Sequence, residues 1–177
     1  MIARITLADL TIRNCEAGGL GGGGIYNLGN LTLQSVTVSG NNSSQYGGGI
    51  FNSGSLTLQD SQVISNTSAA TGGGIMIWSQ GVMTATNSLI AGNSASQGGG
   101  IHSLNSLYLQ DSTLSGNSAD LFGGGLYVGA GTSTLLNVTV SENQADSYGA
   151  GVVNSIGTLY LTNVTISGNS APNYTGL

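Results

Sequence analysis

The chain has 177 residues, of which 39% are hydrophobic and only 5% charged, with a net charge of −5. Two arginines and no lysine leave no basic footprint for nucleic acid or for an anionic membrane surface. The hydrophobic content and low charge also exclude a disordered chain, although there are 31 glycines. No apolar run reaches the roughly 18 residues of a membrane helix. The first residues lack the basic start and continuous apolar core of a signal peptide.

In chain order the sequence repeats one sentence. It opens at Ile5-Thr6-Leu7 and continues through Leu10 and Ile12 to Cys15. Glycine runs then recur at 22–24, 47–49, 72–74, 98–100 and 123–125, with Gly149-Ala150-Gly151 as the last. Each is followed by an apolar residue: Ile25, Ile50, Ile75, Ile101, Leu126 and Val152. A fixed step of 25 or 26 residues marks a repeat architecture.

After each glycine run, apolar residues alternate with Thr, Ser or Tyr. The pairs Leu31/Leu33, Leu56/Leu58, Met83/Ala85, Leu107/Leu109, Ser133/Leu135 and Leu159/Leu161 are spaced i, i+2. So are Val36/Val38, Ser61/Val63, Ser88/Ile90, Ser112/Leu114, Val138/Val140 and Val164/Ile166. This is strand alternation, and the 3.6-residue period of a helix is absent. Each repeat predicts three short strands, with Gly, Asn and Ser at the corners, where φ > 0 is often required. One repeat cannot bury its own apolar face, but stacked repeats turn each column into a ladder. The expected fold is all-β: a right-handed, single-stranded parallel β-helix of about seven coils of about 25 residues, with one domain over 1–177.

Asn41, Asn66, Asn93, Asn117, Asn143 and Asn169 recur after the third strand and predict a buried amide ladder. Cys15 holds that place in the first coil and is expected to be small and buried; a lone cysteine allows no internal disulfide.

The pattern Gly-Gly-Gly-Ile, Leu-Thr-Leu, Val-Thr-Val-Ser-Gly-Asn resembles right-handed parallel β-helix repeats of bacterial surface and secreted proteins. It is similar in kind to polymorphic outer membrane protein and autotransporter-passenger repeats. The resemblance covers the chain from Ile5 to Leu177. It implies the fold and a surface setting, and it carries no shared catalytic motif.

Residues that could carry chemistry are few. Asp60 and Asp111 stand near the same part of the repeat, about 10 Å apart along the axis, within the range of a glycosidase pair. Without partners they read as surface charge. His102, the lone histidine, is expected to point outward in the column Tyr26, Phe51, Met76, His102, Tyr127, Val153. No nucleophile–base grouping, metal-ligand spacing or phosphate loop is present in the sequence. The reading is therefore non-enzymatic, with no cofactor and no metal.

Thr-x-Ser pairs at Thr37, Thr113, Thr139 and Thr165 form rows like those of ice-binding solenoids, interrupted at Gln62 and Leu89. Tyr46, Phe122, Tyr148 and Tyr174 form a partial aromatic column that could contact glycans or pack at a corner. Asn137-Val138-Thr139 and Asn163-Val164-Thr165 are sequons that the repeat generates by itself.

Neither end reads as capped, and 177 residues is close to seven periods. Ile5, Leu7, Leu10 and Ile12 at one end and Leu159, Leu161, Val164, Ile166 and Leu177 at the other are the expected self-association surfaces. A head-to-tail contact of this kind generates an open filament. The sequence thus points to an extracellular or cell-surface structural subunit that stacks on itself. The rivals are a segment of a larger adhesin or stalk, paired with adjoining segments of its own chain, and a carbohydrate-binding or ice-binding solenoid.

Overall fold

A computed structural model describes residues 4–172. Leu177, one expected end residue, and Tyr174 lie outside the described residues. The described chain winds as a stack of coils, and every strand pairing in it is parallel. Matched asparagines of successive coils are 24 to 27 residues apart.

The three expected strands are present in each full coil. A long sheet of seven strands runs from Arg4–Ala8 to Thr158–Thr162 and holds the Leu-x-Leu columns. A threonine sheet of seven strands runs from Thr11–Arg13 to Thr165–Ser167. An aromatic sheet of six strands runs from Ile25–Asn27 to Val152–Asn154 and follows the glycine runs. The expectation of three strands per coil needs one correction. A fourth, short sheet of six strands runs from Glu16–Ala17 to Gln144–Ala145. Most of its strands are only two residues long, too short to show alternation.

The register places like on like. Leu31 pairs with Leu56, Val63 with Ile90, and Ile75 with Ile101. The inward residues Leu33, Leu58, Ile75, Ile90, Leu109 and Leu114 are fully buried. Each such side chain contributes roughly 1.5–3 kcal/mol of burial.

Corners are made by left-handed residues. Asp9, Asp60, Asn87, Asp111, Asn137 and Asn163 turn the chain from the long sheet to the threonine sheet, with φ between 48° and 54°. Asp and Asn tolerate this region better than other side chains. The first glycine of each run does the same; at Gly47 (φ 61°) a Cβ would lie 2.3 Å from the Ile50 carbonyl oxygen. A Cβ on Gly48 would strike the Thr67 carbonyl at 2.3 Å, so these runs are glycine because backbone passes against backbone.

The interior asparagines of the amide ladder, Asn66, Asn93, Asn117 and Asn143, fill both donor and both acceptor positions of the side chain. Asn93 Nδ2 donates to Asn117 Oδ1 and to the Val63 carbonyl, both at 2.9 Å. Its Oδ1 accepts from the Asn66 backbone N–H at 2.9 Å and from Asn66 Nδ2 at 3.0 Å. Cys15 departs from expectation: it is exposed, because the first coil has no further described coil stacked over it. Its N–H donates to Asn41 Oδ1 at 3.0 Å.

A second ladder explains the serines inside an apolar column. Ser61, Ser88 and Ser112 are buried, and their hydroxyls donate to the carbonyls of Gln59, Thr86 and Gln110 at 2.7–2.9 Å. They also accept the N–H of the coil before, from Val36, Ser61 and Ser88. Ser133 is different, since its buried hydroxyl has no partner among the described residues.

Two stability contrasts test these ladders. Asn93→Ala strands several buried groups and is expected to cost about 3 kcal/mol or more, whereas Asn163→Gly, which keeps the left-handed surface corner, stays within about 0.5 kcal/mol. Ser112→Ala is expected to cost about 1 kcal/mol, and Ser133→Ala to gain about that amount by removing an unpaired hydroxyl. Urea denaturation of the four variants measures all of these differences.

Candidate functional site

The outer face of the aromatic sheet is where the structure departs most from a plain solenoid. The column Tyr26, Phe51, Met76, His102, Tyr127, Val153 was expected to lie on the surface. Phe51, Met76 and His102 are instead buried, at 5%, 1% and 6% exposure. Strands Ile50–Asn52, Ile75–Ile77 and Ile101–Ser103 are buried on both faces. The cause is the turn at each glycine run, which folds the preceding residue back over the strand that follows. Tyr46, Thr71, Gln97, Phe122 and Tyr148 therefore pair along a column of their own and pack beside the outer residues.

The result is two ring clusters. In the first, Tyr26 and Phe51 stack with centroids 4.7 Å apart and planes at 11°. Trp78 leans on Phe51 at 5.9 Å and 38°, and Tyr46 on Trp78 at 5.3 Å and 45°. In the second, His102 meets Tyr127 at 4.7 Å, Tyr127 meets Phe122 at 6.4 Å, and Phe122 stacks on Tyr148 at 5.5 Å. Between them Thr71 Oγ1 donates to Met76 Sδ at 3.3 Å. Tyr46, Phe122 and Tyr148 are the aromatics that the sequence singled out. Trp78 was not; its sole signal was being the one tryptophan, next to an outer column.

The first cluster surrounds a cavity of about 200 Å³, also lined by Leu20 and Ser53. In the second, His102 is buried while Tyr148 at the rim is exposed. His102 is held there with no well-formed hydrogen bond to Nδ1. Burial pushes its imidazole down from the ordinary 6.5 to about 4, against the pull of the Gln97 backbone carbonyl.

The other sequence candidates have structural places. Asp60 and Asp111 are left-handed corner residues, in a surface ladder with Asn87, Asn137 and Asn163. Asn137 and Gln110 donate to the Asp111 carboxylate at 2.9 Å and lower its pKa. The sequon asparagines Asn137 and Asn163 are thus occupied as corners. The Thr-x-Ser rows share the threonine sheet, where Gln62 and Leu89 interrupt the row between Thr37 and Thr113. A further amide pair, unforeseen from the sequence, joins Asn27 Nδ2 to Asn52 Oδ1 at 2.7 Å. Among the described residues no group of three or more His, Cys, Asp or Glu could hold a metal ion.

A family profile described as the right-handed beta helix region matches residues 3–145. The chain belongs to that family. Its parallel, in-register coils are those of a right-handed β-helix. Searches among curated proteins and among solved structures each gave no match.

The buried imidazole of this β-helix gives a signed pH prediction. The folded pKa lies below the unfolded value, so His102 costs nothing above about pH 6.5, where both states are neutral. As pH falls from about 6.5 to about 4, the unfolded state takes up the proton first and stability declines. The full loss is about 3 kcal/mol, at about 1.4 kcal/mol per unit. His102→Met, matching its neighbour Met76, is expected to abolish this decline in urea titrations between pH 7 and pH 4.

Proposed function

We propose that the protein is a non-enzymatic structural β-helix of the cell exterior whose end coils accept another copy head to tail. One observation carries the reading: the outermost described coils present the same columns, in the same register, along strand edges that pair with no other described strand. Arg4–Ala8 pairs on one side with Asn30–Gln34, and Thr158–Thr162 on one side with Thr132–Leu136. Ile5 is 54% and Leu10 37% exposed, while Leu159, Leu161, Val164 and Ile166 are only partly covered. In a stacked pair Leu159 would meet Ile5 and Leu161 would meet Leu7, as like meets like inside the chain. Such strand addition supplies main-chain hydrogen bonds as well as burial.

The joint would differ from an internal coil contact in one rung. Each asparagine donates to the amide oxygen of the next coil, as Asn143 does to Asn169 at 2.9 Å. The next place in a second copy is Cys15, whose sulfur is a poor acceptor. The assembly is therefore weaker at its joints than along its length, and reversible. The carboxylates support a structural role, since Asp60 and Asp111 serve as corners. The likeness to bacterial surface passengers supports the exterior setting.

Electron microscopy and sedimentation of the purified chain test this reading. Thin fibres with an axial repeat near 34 Å, about seven strand spacings, are expected. Cys15→Asn, which completes the ladder across the joint, should lower the concentration needed for assembly. A chain that stays monomeric at high concentration in both forms would overturn self-stacking and favour the adhesin or stalk reading, in which the end strands pair with adjoining segments of a longer chain.

A further inference from the structure

We propose that the cleft bounded by Tyr26, Tyr46, Phe51 and Trp78 is a binding site for a single uncharged sugar ring. Tyr26 lies on Ile25–Asn27, the edge strand of the aromatic sheet, so the site is tested on dilute, monomeric chain and does not rest on the head-to-tail reading.

Four observations converge. The first is shape: Tyr26 and Phe51 stack at 11° and so offer ring edges and an outer ring face, while Trp78 is tilted at 38° to Phe51 and Tyr46 at 45° to Trp78. The volume of about 200 Å³ lies below the roughly 300 Å³ at which drug-sized pockets begin, which suits one ring and not an extended molecule. The second is the chemistry of the walls. An aromatic face carries negative charge density and an aromatic edge positive. The C–H face of a pyranose is apolar and weakly positive, so it matches the face of a ring, while its hydroxyl rim needs donors and acceptors nearby.

The third observation supplies them. Tyr26, Tyr46, Trp78 and Ser53 line this cleft, and no hydrogen bond within the described residues engages their hydroxyls or the indole N–H. The fourth is charge. None of the lining residues is charged, so a phosphate or an acidic sugar would lose its hydration with nothing in return. The cleft is open to solvent on one side, where Tyr26 is 46% and Leu20 64% exposed.

Trp78 is the one tryptophan, so its fluorescence reports on the cleft directly. The probes are neutral linear hexasaccharides of α-glucose, β-glucose, mannose and N-acetylglucosamine, with polygalacturonate as the acidic comparison. At least one neutral hexasaccharide is expected to shift the emission saturably, with a dissociation constant at or below about 1 mM. Tyr26→Ala, at a half-exposed position that leaves the core intact, should weaken that binding at least about tenfold. Trp78→Ala should abolish it in calorimetry, with Trp78→Phe retaining part. Tyr160→Ala, on the long sheet, should leave it unchanged. No shift with any of the four at about 10 mM would overturn the proposal. So would a preference for polygalacturonate, binding that survives Trp78→Ala, or a shift produced by an apolar peptide in place of the sugars.

Discussion

A side-chain amide buried in a narrow core has two donors and two acceptors to satisfy, and only another amide in register can satisfy them repeatedly. Asn66, Asn93, Asn117 and Asn143 do this coil after coil at 2.9–3.0 Å. Each also holds a backbone carbonyl that lies two coils behind its acceptor, such as Val38 for Asn66. The ladder therefore ties three successive coils at every rung. A slip of one residue would leave each rung with unpaired groups at about 1–3 kcal/mol apiece. The apolar columns alone would tolerate Leu for Val or Met for Leu; the amides tolerate no displacement, so they set where each coil begins.

The glycine runs are the complementary constraint. Polar ladders fix the stacking, and glycines allow the chain to double back tightly enough to reach them. The middle glycine of a run passes so near the next coil's backbone that a Cβ on Gly48 would lie 2.5 Å from the Gly73 carbonyl oxygen. The third glycine lies against the ladder amide itself: a Cβ on Gly49 would come within 3.0 Å of the Asn66 side-chain amide. Doubling back also lays Tyr46 and Phe122 over the outer face of the aromatic sheet. Thus the same turn that closes the coil creates the second layer, with one ring cluster burying His102 and the other open at Trp78. A solenoid that is otherwise hydroxyl-rich and weakly charged acquires one patch with a different chemistry.

The inner columns and the asparagine ladder were legible because period-two alternation and a fixed repeat place residues without reference to the tertiary path. Leu58 and Ile90 can be assigned to the core from spacing alone. The fourth sheet was not legible, since Asn42–Ser43 and Thr67–Ser68 are too short to alternate. The burial of Phe51 and His102 was missed for a different reason. Alternation says which face of a strand a residue occupies, not whether a neighbouring segment covers that face. Trp78 lies outside every repeat column, in the turn closed by the Gly81 N–H on the Trp78 carbonyl at 2.8 Å, so no periodic argument reaches it. Cys15 was read as buried from its column, but burial in a stack needs a coil on both sides.

The central claim is that in-register polar ladders, and not the apolar columns by themselves, hold the coils in place. Native-state hydrogen exchange tests this most directly. The backbone N–H of Asn66, Asn93 and Asn117 each donates to a ladder oxygen at 2.9–3.0 Å. These amides are expected to be the last to exchange, with protection falling toward Thr11–Arg13 and Thr165–Ser167. Ladder amides that exchange as fast as those of the exposed Ser79 and Gln80 turn would contradict the account.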